Sequence, residues 1–457
     1  MSGVVMKFGG TSVADPDAIG RVAAIVRRQM QTGAGRPPVV VVSALSKVTD
    51  RLIAVARAAE DGDGDAAEAG LKELLDRHIS VASSLTTGAA QAELLAQVRA
   101  EFDGLLGLVR ALSVLREVST RSLDAVVSVG ELASSRIVAA ALNERGIPAA
   151  WLDARTVLVT DAEHTGAAPE MDATCEQARE RIGPLLAKGQ VVVLAGFIGA
   201  TPNRITTTLG RGGSDYSAAI FGACLGVDEI QIWTDVNGML TADPRIVPHP
   251  RVVPRLSFAE ASELAYFGAK VLHPSTILPA VAKDIPVRIL NSHRPDNPGT
   301  MITNEGGTPE GQFTALACKR GVTVIDITSS RMLMAYGFLR RLFEVFERFK
   351  TAVDVVTTSE VSVSVTVDDT RRLDAIVDNL RHFADVSCES EMAIICAVGE
   401  NLQADPTLFG RAVTALDTIP LRLVSQAASR RNITFVLRDA DVPRAMTLLH
   451  QQFFGYV

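Results

Sequence analysis

A lysine and two glycines near the start of the chain have the residue types that bind a phosphate group. The segment Lys7–Ser12 follows an apolar run and precedes a helical pattern. Adjacent glycines, Gly9 and Gly10, let the backbone approach an anion closely, and exposed amides together with the Lys7 ammonium would neutralise phosphate charge. A strand-to-helix turn also uses glycine simply for its conformational freedom, so this segment alone leaves both interpretations open.

A second glycine-rich turn carries an arginine and an aspartate. Within Thr208–Ser217, Arg211 precedes Gly212 and Gly213, and Asp215 falls in the first turn of the helix that follows. Arg211 offers a planar fork for a carboxylate or a phosphate, and the amides at a helix N-terminus favour anions. Asp215 would either cap that helix or pair with a lysine. Because the same domain contains two such cation-bearing turns, an anion site is favoured over two ordinary helix starts.

Two later segments have residues suited to contact with a nucleotide. Trp233–Arg245 places Asp235 after a strand and ends in a cation, and Phe267–Pro274 places Lys270 at the end of a helix. Taken alone, Asp235 and Asp243 would be turn formers and Lys270 a partner of the helix dipole. Neither the G-x-x-x-x-G-K-[ST] loop nor the G-x-G-x-x-G loop occurs in the sequence.

Composition excludes several classes of protein. The chain has 457 residues, a net charge of −7 and 47% hydrophobic residues, which argues against a general nucleic-acid or anionic-membrane binder and against wholesale disorder. Its five cysteines form no C-x-x-C pair and no His-Cys cluster, so we expect reduced thiols rather than a disulfide framework or a zinc site. No run approaches the ~20 apolar residues of a membrane span. We therefore expect a soluble, cytoplasmic protein.

These residues need a scaffold of strands and helices, and the first two thirds of the chain has that pattern. Near-continuous apolar runs alternate with longer helical stretches, which is typical of strands buried on both faces of a mostly parallel sheet. The predicted fold is α/β: an open αβα sandwich over residues 1–295, interrupted by a helical insertion over residues 61–118. The predicted strands are residues 4–8, 38–43, 149–152, 190–196, 229–234 and 286–290. The predicted helices are residues 15–31, 47–59, 131–145, 174–188, 214–226 and 257–268.

A second domain follows a stretch rich in proline and glycine, residues 296–312, which has the composition of a linker. Beyond it, the pattern predicts two ferredoxin-like βαββαβ units over residues 313–385 and 386–457, with a boundary that the sequence leaves open and units that could interleave. Such a tandem is more naturally a sensor than a second active site. The predicted strands there are residues 322–328, 353–356, 361–367, 386–390, 393–398, 422–424 and 433–437. The predicted helices are residues 338–349, 370–383, 407–417 and 442–453.

Taken together, the motifs resemble those of the amino-acid kinase family, and within it the aspartokinases. The C-terminal tandem resembles the ACT regulatory pair, with residues 336–339 and 353–360 as its strongest matches. The helical insertion is similar to that of the monofunctional, homodimeric type. The resemblance covers essentially the whole chain and rests on Lys7–Val13, Val42–Asp50, Ser128–Glu131, Gly210–Tyr216, Thr234–Arg245 and Gly268–Pro274.

The resemblance implies the reaction ATP + L-aspartate → 4-phospho-L-aspartate + ADP, the first step towards lysine, threonine and methionine. Because a carboxylate with an unperturbed pKa of ~3.9 is ionised at neutral pH, the reaction requires no general base. By the resemblance, Lys7 would contact the transferring phosphoryl group and Asp215 would orient Lys7. Arg211 would bind a substrate carboxylate, and Glu131 would face the substrate ammonium. The other implied substrate-binding residues are Ser43, Thr49, Gly212, Gly213 and Ser214.

The resemblance also implies the nucleotide and effector sites. Mg²⁺ would be bound through the nucleotide phosphates, with no metal site made by the protein itself. The ACT tandem would bind an inhibitory end-product amino acid, lysine in the first place and threonine as the alternative. The implied ATP-binding residues are Lys7, Phe8, Gly9, Gly10, Thr234, Asp235, Leu240, Arg245, Lys270 and Val271. The implied effector-binding residues are Met332, Ala335, Phe338, Leu339, Val353, Asp354, Thr358, Ser359 and Glu360.

Two other functions stay open at this point. Another carboxylate kinase of the same family, such as a glutamate or acetylglutamate kinase, would share the fold and the glycine turns but not the whole set of motifs. A catalytically inactive amino-acid sensor would have no need for buried charges such as Lys7, Glu131 and Asp215. The expected assembly is a homodimer, or a dimer of dimers, formed through the ACT tandem. No nucleic-acid or membrane partner is expected.

Overall fold

The computed structural model describes residues 3–32, 36–268, 272, 274–329, 336–426 and 429–455. The chain forms two compact units, the first made of Met1–Met239 and Val271–Glu305 and the second of Leu240–Lys270 and Gly306–Val457. The sequence predicts residues 240–270 as part of the first domain, whereas the structure groups them with the second unit. Strands and helices are numbered below along the whole chain.

A mostly parallel sheet forms the centre of the first unit. Its strands are β1 (Val4–Phe8), β2 (Val39–Val42), β3 (Ala149–Trp151), β4 (Val191–Ala195), β7 (Glu229–Thr234), β9 (Val287–Asn291) and β10 (Thr300–Thr303). They lie in the order β3-β4-β2-β1-β7-β9-β10. Neighbouring strands are parallel, except that β9 and β10 are antiparallel. Strand β1 lies between β2 and β7, so the strand order reverses there, and such a reversal is where open α/β sheets bind ligands.

Helices cover this sheet, and a small antiparallel hairpin of β5 (Ile198–Ala200) and β6 (Thr206–Thr208) adjoins it. The predicted open α/β sandwich with a mostly parallel sheet is confirmed. The helices are α1 (Pro16–Thr32), α2 (Val48–Glu60), α3 (Gly64–Leu85), α4 (Gly88–Leu115), α5 (Thr120–Glu144), α6 (Met171–Arg181), α7 (Gly183–Ala187), α8 (Gly213–Leu225) and α10 (Leu278–Ala282). Two of them, α3 and α4, fill most of the segment predicted as a helical insertion.

Two helix predictions were wrong in extent. The predicted helix over residues 174–188 is two helices, α6 and α7, because Pro184 has no amide hydrogen to donate to the carbonyl four residues earlier. The predicted helix over residues 131–145 begins earlier, at Thr120, where the Ser119 side chain accepts a hydrogen bond from the Ser122 amide and caps α5.

Helix α5 is long and apolar enough to cross a membrane, by length and composition alone, which the sequence reading did not anticipate. It is a core helix of the first unit instead, since 83% of its most apolar window is buried. Buried residues occur all round it, including Val126, Val129 and Leu132. A helix that is apolar on every side is typical of the centre of a large domain.

An antiparallel sheet runs through the second unit. Its strands are β11 (Gln312–Thr328), β12 (Val356–Thr358), β13 (Ser362–Val367), β14 (Asp385–Glu400), β15 (Leu421–Gln426) and β16 (Asn432–Arg438), in the order β12-β13-β11-β14-β16-β15. The unit also contains β8 (Arg255–Ser257), α9 (Phe258–Tyr266), α11 (Phe338–Arg348), α12 (Leu373–Arg381), α13 (Leu408–Ala415) and α14 (Val442–Phe454). One apolar cluster packs α11 and α12 on the β11–β13 side, and another packs α13 and α14 on the β14–β16 side.

Several strand predictions in the C-terminal third were wrong in detail. The two predicted strands 386–390 and 393–398 are the single strand β14, and the predicted strand 353–356 is β12, which begins only at Val356. Strand β11 begins at Gln312, ahead of the predicted Val322. The predicted linker contains a strand, β10. The two predicted ferredoxin-like units share one sheet, because β11 pairs with β14 along nearly its whole length.

The expectation that all five cysteines are reduced was wrong for one pair. Cys175 in α6 and Cys224 in α8 form a disulfide with a sulfur–sulfur distance of 2.02 Å. The two residues are 49 positions apart in sequence and meet only because α6 and α8 pack side by side. Cys318, Cys388 and Cys396 are free.

Candidate active site

The carboxyl end of β1 opens onto a cavity of about 630 Å³ in the first unit. The amide of Gly9 donates to the carbonyl oxygen of Trp233 at 3.1 Å, and the amide of Ser43 donates to the carbonyl of Phe8 at 3.1 Å. The turn after β1 is therefore held between the ends of β7 and β2. A Cβ atom on Gly10 would lie 3.1 Å from the carbonyl oxygen of Ala44, so close backbone packing, not positive φ, favours glycine there.

Lys7 reaches the cavity from β1 and forms an ion pair. Its ammonium lies 2.7 Å from a carboxylate oxygen of Asp215, which is in the first turn of α8. The side chains of Lys7 and Asp215 are only 11% and 14% exposed. A cation held in such a poorly hydrated wall attracts an anion more strongly than it would in water. Asp215 thereby fixes the position of the Lys7 ammonium.

The glycine-rich turn before α8 forms another part of the cavity wall. Gly210 and Gly212 have φ angles of +75° and +72°, which glycine adopts without the strain that other residues suffer. A Cβ atom on Gly213 would lie 2.6 Å from the Phe197 ring, so no larger residue fits where α8 begins. Arg211 stands between these glycines, and it is exposed and lines the cavity. The turn therefore presents a guanidinium beside the N-terminus of a helix, a combination that favours anions.

Glu131 contributes a buried carboxylate from α5. The residue is 3% exposed, and its Oε1 atom lies 3.5 Å from the Thr49 hydroxyl, which is a long hydrogen bond. Its Oε2 atom is buried and has no hydrogen-bond partner. Burial raises the pKa of the Glu131 carboxyl to about 8, against smaller opposing effects of hydrogen bonds, first from the Ala44 backbone. An unsatisfied buried carboxylate oxygen in a cavity wall is suited to a cationic ligand group.

The cavity brings together every residue that the sequence analysis assigned to catalysis or to substrate binding. The predicted nucleotide residue Gly10 lines it as well. These roles remain predictions, since the structure gives only the positions. The predicted residues that line the cavity are Lys7, Gly10, Ser43, Thr49, Glu131, Arg211, Gly212, Gly213, Ser214 and Asp215.

The other predicted nucleotide residues of the first unit lie beside this cavity or in the core. Phe8 is fully buried and stacks on Trp233 with ring centroids 6.0 Å apart, so only its backbone is available to a ligand. Phe8 and Trp233 are also paired in the register of β1 and β7, so Gly9 lies next to Thr234. Asp235 follows Thr234 and is exposed.

The remaining predicted nucleotide residues lie elsewhere. In the second unit, Arg245 is exposed and forms a bidentate pair with Asp243, which lowers the pKa of the Asp243 carboxyl. Leu240, in the same unit, forms an isolated β-bridge with Val252. Lys270 and Val271 lie outside the described residues.

The sequence analysis missed several residues of the cavity wall. Asp124 lies seven residues before Glu131 on α5, so both occupy one face of the helix two turns apart. Helical spacing from Glu131 was the signal that would have found Asp124. Thr165, Phe197 and Thr208 come from loops and a short hairpin and carried no such signal. The other lining residues not predicted are Ala44, Leu45, Ser46, Lys47, Asp50, Ile53, Leu123, Val127 and Gly210.

In the second unit, the predicted effector residue Asp354 has an unusual environment. Its side chain is 1% exposed, and its Oδ1 atom lies 2.8 Å from the Lys319 ammonium and 2.8 Å from the Tyr266 hydroxyl. Its Oδ2 atom is buried without a hydrogen-bond partner.

The other predicted effector residues lie at the start of α11, in and around β12, or outside the described residues. Phe338 and Leu339 begin α11, Val353 precedes β12, and Thr358 ends β12. Ser359 and Glu360 form the exposed turn between β12 and β13, while Met332 and Ala335 lie outside the described residues.

Among the described residues, no group of three or more His, Cys, Asp or Glu side chains is arranged to hold a metal ion.

Comparison with known proteins agrees with this geometry. A family model described as "Amino acid kinase family" matches residues 2–291, and one described as "ACT domain" matches residues 395–453. Lysine-sensitive aspartokinase 3 of Escherichia coli (strain K12) is 35% identical over 461 residues, covering 99% of this chain and 99% of the relative. The chain belongs to the aspartokinases of the amino acid kinase family.

Two further comparisons support the membership. Aspartokinase 3, chloroplastic, of Arabidopsis thaliana is 37% identical over 468 residues, which is 98% of this chain and 81% of the plant protein. The crystal structure of E. coli aspartokinase III in complex with aspartate and ADP has a TM-score of 0.84 at 34% identity, covering 99% of this chain and 100% of that one. The predicted family resemblance is confirmed.

Proposed function

We propose that this aspartokinase-family chain transfers the γ-phosphoryl group of ATP to the side-chain carboxylate of L-aspartate, giving 4-phospho-L-aspartate and ADP. The observation that carries the proposal is the unpartnered, buried Oε2 atom of Glu131 in the same cavity as Arg211 and the Lys7–Asp215 pair. An amino acid with two carboxylates complements such a set, because it brings one cation and two anions. E. coli aspartokinase III, which shares this fold, has been solved with aspartate and ADP.

In this proposal, the substrate is oriented by charges of opposite sign. The Glu131 carboxylate receives the ammonium, with the Thr49 hydroxyl beside it, and Ser43 lines the same wall. The Arg211 fork binds one carboxylate by two hydrogen bonds, which fixes its direction as well as its position. The second carboxylate is left facing the Lys7 end of the cavity, where the phosphoryl group arrives.

The chemistry then needs positioning and positive charge more than proton transfer. The attacking carboxylate is already ionised at neutral pH, so no general base is required. Charge develops on the phosphoryl oxygens, and preorganised donors aimed at those oxygens supply most of the stabilisation in phosphoryl transfer. Lys7, held by Asp215, and the amide of Gly10 are placed to be those donors, whereas the Gly9 amide already donates to the Trp233 carbonyl. At the start of α8 the Ser214 amide adds to them, since the amides of Gly213 and Asp215 donate to the carbonyls of Gly210 and Gly212.

The proposed nucleotide contacts within the first unit are the turn after β1 and the end of β7, where Thr234 and Asp235 lie next to Gly9. The assignments of Leu240, Arg245, Lys270 and Val271 stay predictions. Mg²⁺ would arrive on the nucleotide phosphates, since the described residues offer no cluster of three ligands and Mg²⁺ commonly binds through phosphates with one or two carboxylates. When bound, the ion would neutralise phosphate charge.

We also propose that the second unit is a regulatory module that binds an inhibitory amino acid, L-lysine, as the name of the lysine-sensitive E. coli relative suggests. The buried, unpartnered Oδ2 atom of Asp354 supports a cationic ligand there. Exposed apolar side chains of the same unit, including Tyr336, Leu339 and Phe343, support assembly into a homodimer or a dimer of dimers. We propose a cytoplasmic location as well, since the reaction consumes ATP.

Hydroxamate formation tests the proposed activity. The chain is incubated with ATP, Mg²⁺, hydroxylamine and one of L-aspartate, L-glutamate or N-acetyl-L-glutamate, since hydroxylamine traps the acyl phosphate of each. We expect hydroxamate from aspartate alone. Hydroxamate mainly from glutamate or N-acetylglutamate would replace aspartate as the substrate, and hydroxamate from none would contradict a kinase function.

A further inference from the structure

Asp124 is a fully buried carboxylate in the wall of the cavity and has no place in the chemistry described above. It lies near the start of α5, two helical turns before Glu131. Both of its oxygen atoms are occupied by donors from the protein, so it is not free to bind a ligand itself.

Two segments of the chain donate hydrogen bonds to this one carboxylate. The Thr208 hydroxyl, at the end of β6, donates to Oδ1 at 2.6 Å. The His164 ring nitrogen Nδ1 lies 2.7 Å from Oδ2, and the amide of Thr165 lies 3.1 Å from both oxygens. Asp124 therefore joins α5, the loop around residues 163–166 and the β5–β6 hairpin.

One donor segment leads into the turn that carries Arg211, and the other packs against that turn. Thr208 is three residues before Arg211, and its carbonyl oxygen accepts a hydrogen bond from the Ala167 amide at 2.9 Å. Gly210 is packed so tightly that a Cβ atom on it would lie 3.1 Å from the carbonyl oxygen of Thr165. Thr208 and Thr165, both bound by Asp124, therefore hold the start of the Arg211 turn.

We propose that Asp124 is a positioning residue for the amino-acid substrate, which sets the Arg211 turn at a fixed distance from Glu131. The inference rests on the proposed function, in which Glu131 receives the ammonium and Arg211 receives a carboxylate. Asp124 and Glu131 share the rigid helix α5, so tying the turn to Asp124 fixes the spacing of the two groups that read the substrate.

A purely structural role accounts less well for the carboxylate. A buried charge is expensive to desolvate, and apolar side chains of similar volume often stabilise a fold as well or better. A carboxylate that accepts several hydrogen bonds instead fixes the direction and the distance of the groups that donate to it. Loss of one of these bonds should therefore loosen the substrate site more than it weakens the fold.

The neighbouring threonines Thr207 and Thr208 provide a matched test. Both are buried in β6, but the Thr207 hydroxyl pairs with the Thr160 hydroxyl at 2.7 Å and Thr207 does not line the cavity. Thr208→Val removes the bond to Asp124, and Thr207→Val removes a buried hydroxyl bond that has no part in the site. Steady-state kinetics with aspartate and with ATP, together with thermal unfolding, are measured for both variants.

We expect Thr208→Val to raise the aspartate KM by about tenfold or more, the scale of losing a hydrogen bond to a charged group, with the ATP KM unchanged. Thr207→Val should leave both KM values within about twofold of the wild type, while both variants lose similar thermal stability. Thr208→Ser, which keeps the hydroxyl, should restore the wild-type aspartate KM.

Equal aspartate KM values in Thr208→Val and Thr207→Val would overturn the inference, as would a rise in the ATP KM alone. If Thr208→Val fails to fold, His164→Leu cuts a different bond to Asp124, and the same comparison of aspartate KM with ATP KM decides. A wild-type chain that forms no aspartyl hydroxamate would instead contradict the proposed function, so the two failures are distinguishable.

Discussion

At the scale of single residues, the ion pair between Lys7 and Asp215 sets where a phosphoryl group can be stabilised. Replacing Lys7 by methionine keeps the volume of the side chain and removes its charge. We expect Lys7→Met to lower kcat by at least ~100-fold, the scale of losing one preorganised donor. A coupled assay of ADP release at saturating aspartate and ATP measures kcat.

Lys72→Met is the matched control, because Lys72 is exposed on α3 and does not line the cavity. It should keep wild-type turnover. Thermal unfolding of Lys7→Met separates a loss of turnover from a loss of fold, since Asp215 is left without its partner. A folded Lys7→Met variant with near-normal kcat would remove Lys7 from the mechanism.

Glu131 leads to a prediction about protons. Burial raises the pKa of its carboxyl to about 8, so in the empty site the group is mostly protonated at pH 7. A substrate ammonium favours the ionised form, and binding must then release a proton. Because the free site has the raised pKa, aspartate affinity should increase as the pH rises towards about 8 and level off above it.

Calorimetry in buffers of different ionisation enthalpy measures this release directly. At pH 7 we expect up to about one proton released per aspartate bound to the wild type. Glu131→Gln should bind aspartate more weakly, with a heat that does not depend on the buffer. A buffer-independent heat for the wild-type chain would show that Glu131 is already ionised in the empty site.

Site residues with a strong motif could be predicted from the sequence, and those defined by packing could not. Lys7, Arg211 and Asp215 stand in glycine-rich turns whose chemistry is local, and Glu131 was found through the family resemblance. Asp124 is a single aspartate in an apolar helix, and its role depends on donors 40 and more positions away in sequence. Its seven-residue spacing from Glu131 places it on the same face of α5, but that spacing alone does not distinguish it from a helix-capping or surface aspartate.

At the scale of secondary-structure elements, the disulfide ties α6 to α8, the helix that carries Asp215 in its first turn. Closing a loop of this length restricts the unfolded chain, which typically stabilises a fold by about 2–4 kcal/mol. Replacing both Cys175 and Cys224 by serine should therefore lower the free energy of unfolding by about that amount. Denaturant unfolding of the variant and of the wild type measures it.

Thiol titration provides the independent check. The denatured chain should show three reactive thiols without reductant, from the three free cysteines, and two more after reduction. Cys388→Ser is the control for stability, since Cys388 is exposed and unpaired and its loss should leave the free energy of unfolding nearly unchanged. Five reactive thiols in the unreduced protein would contradict the Cys175–Cys224 disulfide.

Continuous apolar strands and long helices could be predicted from the sequence. The points at which a helix breaks or a strand continues through an irregularity could not. Strand β14 was predicted as two strands, residues 386–390 and 393–398, with a break at Glu391 and Met392. In the structure, Glu391 takes a positive φ of 57°, and the partner strand shifts register between Arg320 and Val322, so pairing continues through the irregularity. Such a bulge depends on both strands, and a single stretch of sequence does not show it.

At the scale of the whole molecule, the proposed regulation makes the second unit a sensor for activity in the first. L-Lysine should inhibit the kinase reaction, because its cationic group can satisfy the buried Oδ2 atom of Asp354. A tenfold preference for the low-activity state corresponds to about 1.4 kcal/mol of coupling. Activity is measured against lysine, threonine and both together.

Asp354 and Asp368 both contact Lys319. Comparing a variant of each distinguishes a specific lysine-binding site from a general effect of lost negative charge. Asp354→Asn should abolish lysine inhibition, whereas Asp368→Asn, whose side chain is 44% exposed, should retain it. Unchanged wild-type activity at millimolar lysine and threonine would contradict the sensor role. Inhibition by threonine alone would contradict the choice of lysine.

The identity of the phosphorylated carboxyl group is the sharpest test of the proposed reaction. The chain is incubated with ATP, Mg²⁺ and L-aspartate, and the acyl phosphate is reduced with borohydride, which converts the phosphorylated carboxyl to an alcohol. Transfer to the side-chain carboxylate predicts homoserine, formed by the wild type and lost in Lys7→Met. Formation of 3-amino-4-hydroxybutyrate would mean that the α-carboxylate is phosphorylated. That result, or no amino alcohol from the wild type, would contradict the proposed reaction.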